Sequence, residues 1–316
     1  MAEEIQFIYD KIFKRILTLS TKAVVNLING LFGTNYPENS KLTYNWTEFE
    51  NDNLDKFLAD TMITVNENNC YHMEAQMEND TDIVFRVFDY CFQHAKRERV
   101  SEGGTYILNF PEPKVIYLYS STEIPEKYTL QLQFGKQGCF NYEVSTFNFL
   151  TTSLEDLNQK RLIILIPFQL LKLRKLLSKT RTPETIERLQ KLLECDILNS
   201  INMNLEAGNI SLNDSRILLE LTQKLLRHLY ARYPEMEEVC KMYDHSLDLE
   251  IDRLIDQFEE LDSKIQKATE ELSQKDEQLS QKDEQLSQKD EQLSQKDEQL
   301  SQKDEQLSQK DEQLSQ

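Results

Sequence analysis

Glycine is scarce in this chain, with 7 in 316 residues, and none stands in a G-x-G-x-x-G or Walker-type spacing. A phosphate-cradling loop needs glycine where backbone N–H groups approach the anion, so no nucleotide cofactor is expected. Cysteine is also sparse: Cys70, Cys91, Cys139, Cys195 and Cys240 are odd in number, widely separated and free of any C-x-x-C pair. Neither a disulfide framework nor a zinc site is indicated. His94, His228 and His245 lack partners at metal-ligand spacing, and no Ser or Cys stands in a nucleophile elbow. The longest apolar run, Leu162 to Phe168, falls far short of the roughly 20 residues of a membrane span. The opening MAEEIQF carries acids where a secretory signal would carry bases. The expectation is a cytoplasmic chain with reduced thiols and no membrane partner.

What is present is ordinary for a folded protein: 39% hydrophobic residues, with 13 Tyr and 15 Phe. The formal charge of −19 is unevenly placed, because residues 246–316 hold 9 basic against 21 acidic side chains, or −12, leaving −7 for the rest. Most of the acidity therefore sits in the tail.

Ile5, Ile8, Ile12, Ile16 and Leu19 follow three- and four-residue steps and form one helical stripe. A second helix is capped by Ser20 or Thr21 and ends at Gly33, with Pro37 beyond. LTYNWTEF reads as a strand, then comes a hairpin from Leu58 to Met77, then a helix from Asp82 to Val100 ended by Gly103 and Gly104. Further strands are expected at Val115 to Tyr119, Tyr128 to Phe134 and Phe140 to Phe149, while Leu162 to Ile166 suits either a buried strand or a helix start. Beyond Pro167 the pattern is helical: one helix runs from Pro183 through Met203 to Gly208, another is capped by Asn213 or Asp214. The expected division is an α/β core over residues 1–150, a mainly helical extension over 151–245 and a coiled coil over 246–316.

In that tail Ile251, Leu254, Phe258, Leu261, Ile265, Ala268 and Leu272 alternate steps of three and four, the a/d seam of a coiled coil. From Leu272 the heptad LSQKDEQ recurs without change, keeping Leu at a but placing Lys275, Lys282 and Lys289 at d. The expected partner is a second copy of the chain, with a homo-oligomer forming through this segment. A repeat-expanded tail with no required role is the plainer alternative for residues 272–316.

The chemistry concentrates in LADTMITVNENNCYHMEAQM, Leu58 to Met77. Side chains alternate along a strand, so His72, Glu74 and Gln76 share one face, and Tyr71, Met73 and Met77 share the other. Asp60 on the preceding strand can join Glu74 and Gln76 only in a register that pairs it with an even-numbered residue. Two carboxylates and a third polar group, so placed, could hold Mg²⁺ and orient an attacking water. The same residues also suit the wet face of an ordinary strand.

Asp10-x-x-Phe13-Lys14, Asp60 at a strand start, Tyr71-His72-Met73-Glu74-Ala75-Gln76, and Arg86 with Tyr90 together resemble the Rpn-type recombination-promoting nucleases. These are also described as transposases of the PD-(D/E)XK superfamily. The likeness spans roughly residues 1–245. It implies a restriction-endonuclease-like mixed sheet flanked by helices and Mg²⁺-dependent hydrolysis of DNA phosphodiesters, linked to recombination or mobile elements. By the match, Asp60 and Glu74 are metal ligands, Asp10 approaches the metal from the first helix, Gln76 replaces the usual Lys, and Arg86 is a site residue. An amide orients water but cannot act as a charged base, so the likeness also admits a catalytically inactive DNA- or protein-binding module. For the polyanion, Lys160, Arg161, Lys172, Arg174, Lys175, Lys179 and Arg181 form an acid-free stretch, and LKLRKLLSKTR is the candidate phosphate grip. A solvated helix face is its plain alternative.

Overall fold

The computed structural model describes residues 2–50, 56–120 and 122–314; the side chains of 2–7, 10, 46–50, 56–61, 239, 298, 299, 302 and 304–314 lie outside the described ones. Two compact units divide the chain, residues 1–255 and 256–316.

The first unit opens with α1 (Ala2–Ile16) and α2 (Thr21–Phe32). Ser20 caps α2 by accepting from the Ala23 N–H, and Gly33 closes it at a φ of 68°, a left-handed conformation that glycine adopts without strain. A meander follows, of β1 (Leu42–Glu50), β2 (Lys56–Val65) and β3 (Asn69–Gln76). Then α3 (Ile83–Arg97) crosses to β6 (Glu112–Tyr117), after a short hairpin of β4 (Val100–Glu102) and β5 (Thr105–Ile107). That hairpin corrects one expectation. Gly103 and Gly104 do not end the helix, which stops at Arg97; with φ of 55° and 84° they form the tight turn between two strands.

The larger sheet is completed by β7 (Lys127–Gln133) and β8 (Cys139–Asn148), in the order β1-β2-β3-β6-β8-β7. Its centre is parallel, β3 with β6 and β6 with β8, while β1–β2, β2–β3 and β7–β8 are antiparallel. The chain is thus α/β with a mixed six-stranded sheet. Alternation gives the sheet two interiors. Ile63, Val65, Tyr71, Met73, Ile116 and Leu118 face the main core with α1 and α2, whereas Val115, Tyr117, Tyr142 and Val144 pack under Ile83, Val84, Val87 and Cys91 of α3.

After α4 (Leu154–Gln159), residues Ile163–Leu173 wind as consecutive 3₁₀ turns. The apolar run Leu162 to Ile166 is thus neither strand nor α-helix; Pro167, which has no N–H to donate, lies inside this segment. Next come α5 (Arg174–Lys179), α6 (Pro183–Lys191), a π-helical stretch Leu192–Leu198, α7 (Asn199–Glu206), α8 (Leu212–Tyr230) and α9 (Glu237–Leu314). The cap of α8 is Ser211, two to three residues earlier than expected, and Asp214 is its third helical residue in a capping box. Asp214 is fully buried and also accepts from the Ser20 N–H at 2.8 Å and the Ser20 hydroxyl at 2.5 Å. One carboxylate therefore serves the start of two helices 194 residues apart in sequence.

Candidate active site

On β3 the even-numbered residues turn toward α3. His72, Glu74 and Gln76 are all buried there. The β2–β3 ladder pairs Thr64 with Cys70 and Met62 with His72, so even residues face even residues over Met62–Val65, a stretch that ends before Asp60. Between Met62 and Ala59, β2 has one residue more than the facing stretch Asn45–Thr47 of β1, which puts an irregularity at Asp60 and Thr61. The side chains of Asp60 and Asp10, two of the three expected metal ligands, lie outside the described residues.

The third, Glu74, is 3% exposed. Its Oε1 accepts from Gln76 Nε2 at 2.9 Å and from Arg86 Nη2 at 3.2 Å. Arg86 Nη1 donates to Asp80 Oδ2 at 2.6 Å, so the guanidinium bridges a strand carboxylate and a carboxylate from the loop before α3. The partner comes from this loop rather than from Asp82 or Asp89, which lie next to and on its own helix. Partial burial pulls the Arg86 pKa down, but Glu74 and Asp80 outweigh it and raise the group above its ordinary value.

Behind Glu74 stands a layer that sequence spacing did not disclose. His72 Nδ1 lies 3.6 Å from Cys91 Sγ, its Nε2 lies 3.9 Å from Glu74 Oε2, and its ring meets Tyr90 edge-on at 5.9 Å. One turn along, Cys70 Sγ lies 3.5 Å from His94 Nε2. The signal was present as Cys70 and His72 two apart on a strand, with Cys91 and His94 three apart on the covering helix. Burial, helped by His94, brings the His72 pKa down to about 4, and burial pushes the Cys91 thiol up to about 12. Both are neutral near pH 7. No group of three or more His, Cys, Asp or Glu side chains among the described residues is arranged to hold a metal.

The basic stretch divides. Lys172 Nζ donates to the Thr152 carbonyl at 2.7 Å and lies over Phe149; Arg174 stacks on Tyr119 and Tyr9. Arg181 pairs with Glu235 and lies over Tyr233, and Arg161 pairs with Glu38. Lys160, Lys175 and Lys179 remain on the surface. Of the expected phosphate grip, then, a minority of cations faces solvent, because the rest secure the 3₁₀ segment and α5 against their neighbours. No helix among the described residues is long and apolar enough to cross a membrane.

Comparison of the chain with protein-family models, with curated proteins and with solved structures returns no match.

Proposed function

We propose that this protein is a Mg²⁺-dependent DNA endonuclease of restriction-endonuclease-like fold, cytoplasmic, and linked to recombination or mobile elements. The observation that carries the reading is a buried Glu74, one strand position pair from Gln76 and bridged by Arg86, on the strand that leads into the α3 crossover. The meander β1-β2-β3, that crossover and the parallel β6 support a restriction-endonuclease-like reading of the mixed sheet. The donor set suits a hard cation in kind: the Glu74 carboxylate and the Gln76 amide oxygen, with Asp60 and Asp10 as the further carboxylates. When bound, Mg²⁺ would supply a Lewis acid and lower the pKa of a bound water.

The chain's own groups have separate tasks in this reading. Arg86 offsets the negative charge gathered at Glu74 and Asp80, which otherwise opposes an approaching phosphate. Gln76 can orient a water through its amide but cannot take up its proton. His72, held neutral, lies 3.9 Å behind the Glu74 carboxylate and adds no positive charge there.

A second reading is favoured by one detail. Gln76 and Arg86 both already satisfy Glu74 Oε1, which suits a site kept for its fold in a catalytically inactive DNA- or protein-binding module. Supercoiled plasmid incubated with the protein and Mg²⁺ separates the two. Relaxed and linear products that vanish with Glu74→Gln and with Asp60→Asn are expected for the endonuclease. Cleavage that survives either substitution overturns the assigned site, and no cleavage by the unaltered chain favours the inactive module.

A further inference from the structure

The apolar a/d stripe of α9 begins inside the first unit, where Cys240, Leu247 and Leu254 at d and Ile251 at a are buried. The frame continues without a phase break at Phe258, Leu261, Ile265 and Leu272, which are 48% to 61% exposed. Leu279, Leu286 and Leu293 prolong it, each 58% exposed. A helix with such a stripe uncovered has the pattern of one strand of a coiled coil.

The charges say what covers it. Inside the repeat every lysine from Lys282 onward has no acid three or four positions away on its own helix: its neighbours at those steps are Leu and Gln. Nor do Asp283 and Glu284 find a base at those steps. A sequence built of Lys, Asp and Glu thus forgoes every intrahelical pair it could have made. In a parallel two-stranded coil the residue at d packs beside e of the partner helix, and here d is Lys and e is Asp in every repeat. Two copies in register would therefore place Lys282 beside the second copy's aspartate and the reverse, twice per heptad. An antiparallel pair of repeats sets e against e, Asp against Asp, with no such relief.

Two-strandedness follows from the same lysine. At the edge of a two-stranded seam its methylene stem can cover the adjoining leucines while the ammonium reaches water and the facing Asp; in a larger bundle the same position is enclosed. Register is set upstream. A slip of seven residues leaves the repeat contacts intact but places Ala268 against Lys275, so the apolar layers from Phe258 to Ala268 fix the alignment that the identical repeats cannot.

We propose that α9 binds a second copy of this chain as a parallel, in-register two-stranded coiled coil whose repeat region is held by Lys-to-Asp pairs between the helices. This deepens the assembly expected of the tail and is independent of the nuclease chemistry. In full-length protein with the exposed thiols removed by Cys139→Ser and Cys195→Ser, Leu279→Cys and Leu293→Cys are made separately and oxidised with diamide. Both are expected to give covalent dimers, and light scattering of the unoxidised chain to give twice the monomer mass. Covalent dimer from only one variant overturns the parallel arrangement. A mixture of Leu279→Cys and Leu286→Cys that yields heterodimer as readily as homodimer overturns the register. Monomer throughout overturns the assembly itself. The pairs are tested by sign: Asp276→Asn, Asp283→Asn and Asp290→Asn together reduce the like charge of two acidic tails, yet are expected to raise the dimer Kd about tenfold or more. Tighter association would show that the aspartates only repel.

Discussion

Gln76 donates its amide to Glu74 across 2.9 Å, from a position two residues along the same strand face. A lysine there would meet the same carboxylate with a full charge. In the endonuclease reading, Gln76→Lys is expected to raise plasmid cleavage about tenfold or more while leaving the unfolding midpoint nearly unchanged, since an ion pair replaces a hydrogen bond. Unchanged cleavage would show that the amide is not what limits turnover.

Arg86 is the other half of that arrangement. Arg86→Met removes both charge-assisted bonds and leaves Glu74 buried beside an apolar chain, at a cost of about 2 kcal/mol in urea unfolding. Arg86→Lys keeps the charge but loses the fork that spans Glu74 and Asp80, so it should recover only part of the loss. Equal stability of the two variants would mean that charge alone matters.

Asp214 joins two helix starts. Asp214→Ala strips the Ser20 N–H, the Ser20 hydroxyl and the Ser211 N–H of their shared acceptor, and about 3 kcal/mol of destabilisation is expected. Ser20→Ala, which removes one cap, should cost about 1 kcal/mol. A loss for Asp214→Ala no larger than for Ser20→Ala would confine the carboxylate's role to one helix.

Gly30 sits inside α2, where alanine would ordinarily stabilise by about 1 kcal/mol. A methyl group there would overlap the Lys160 carbonyl oxygen and the Leu162 side chain. Overpacking of that kind costs about 1–3 kcal/mol, so Gly30→Ala is expected to lower the melting temperature. A higher one would show that the α4 end gives way freely.

His228 meets Tyr9 edge-on at 5.6 Å, and burial, then Arg174 and Arg232, hold its pKa below the ordinary value. The unfolded chain therefore binds the proton more readily. Its contribution to stability is complete above the unfolded value of about 6.5 and declines as pH falls toward the lowered folded value. His228→Gln should make urea stability less sensitive to pH between neutral and mildly acidic buffer; an identical slope would place the titration elsewhere.

Local grammar was legible. Ser20 and Gly33 announce α2, and strand parity placed His72, Glu74 and Gln76 together, because both depend on neighbours in sequence. Features that depend on distant chain were not. Gly103 and Gly104 suit a helix end or a hairpin turn equally, and only the pairing of Val100 with Ile107 decides. Nothing in ILIPF tells a strand from 3₁₀ turns until the surrounding helices close on it. Arg86 does reach Glu74, but its bond to Asp80 arises from the loop geometry before α3, and the inward use of Lys172 and Arg174 arises from aromatic rings far off in sequence. Asp10 and Asp60 lie, as side chains, outside the described residues.

The unbroken phase of α9 makes its reach come in steps. Each LSQKDEQ unit adds about 10 Å of helix and returns the leucine to nearly the same side, with a drift of about 20° in a straight helix. Gain or loss of whole units would therefore alter how far the tail extends without altering which face it offers, whereas a change of any other length would turn that face away.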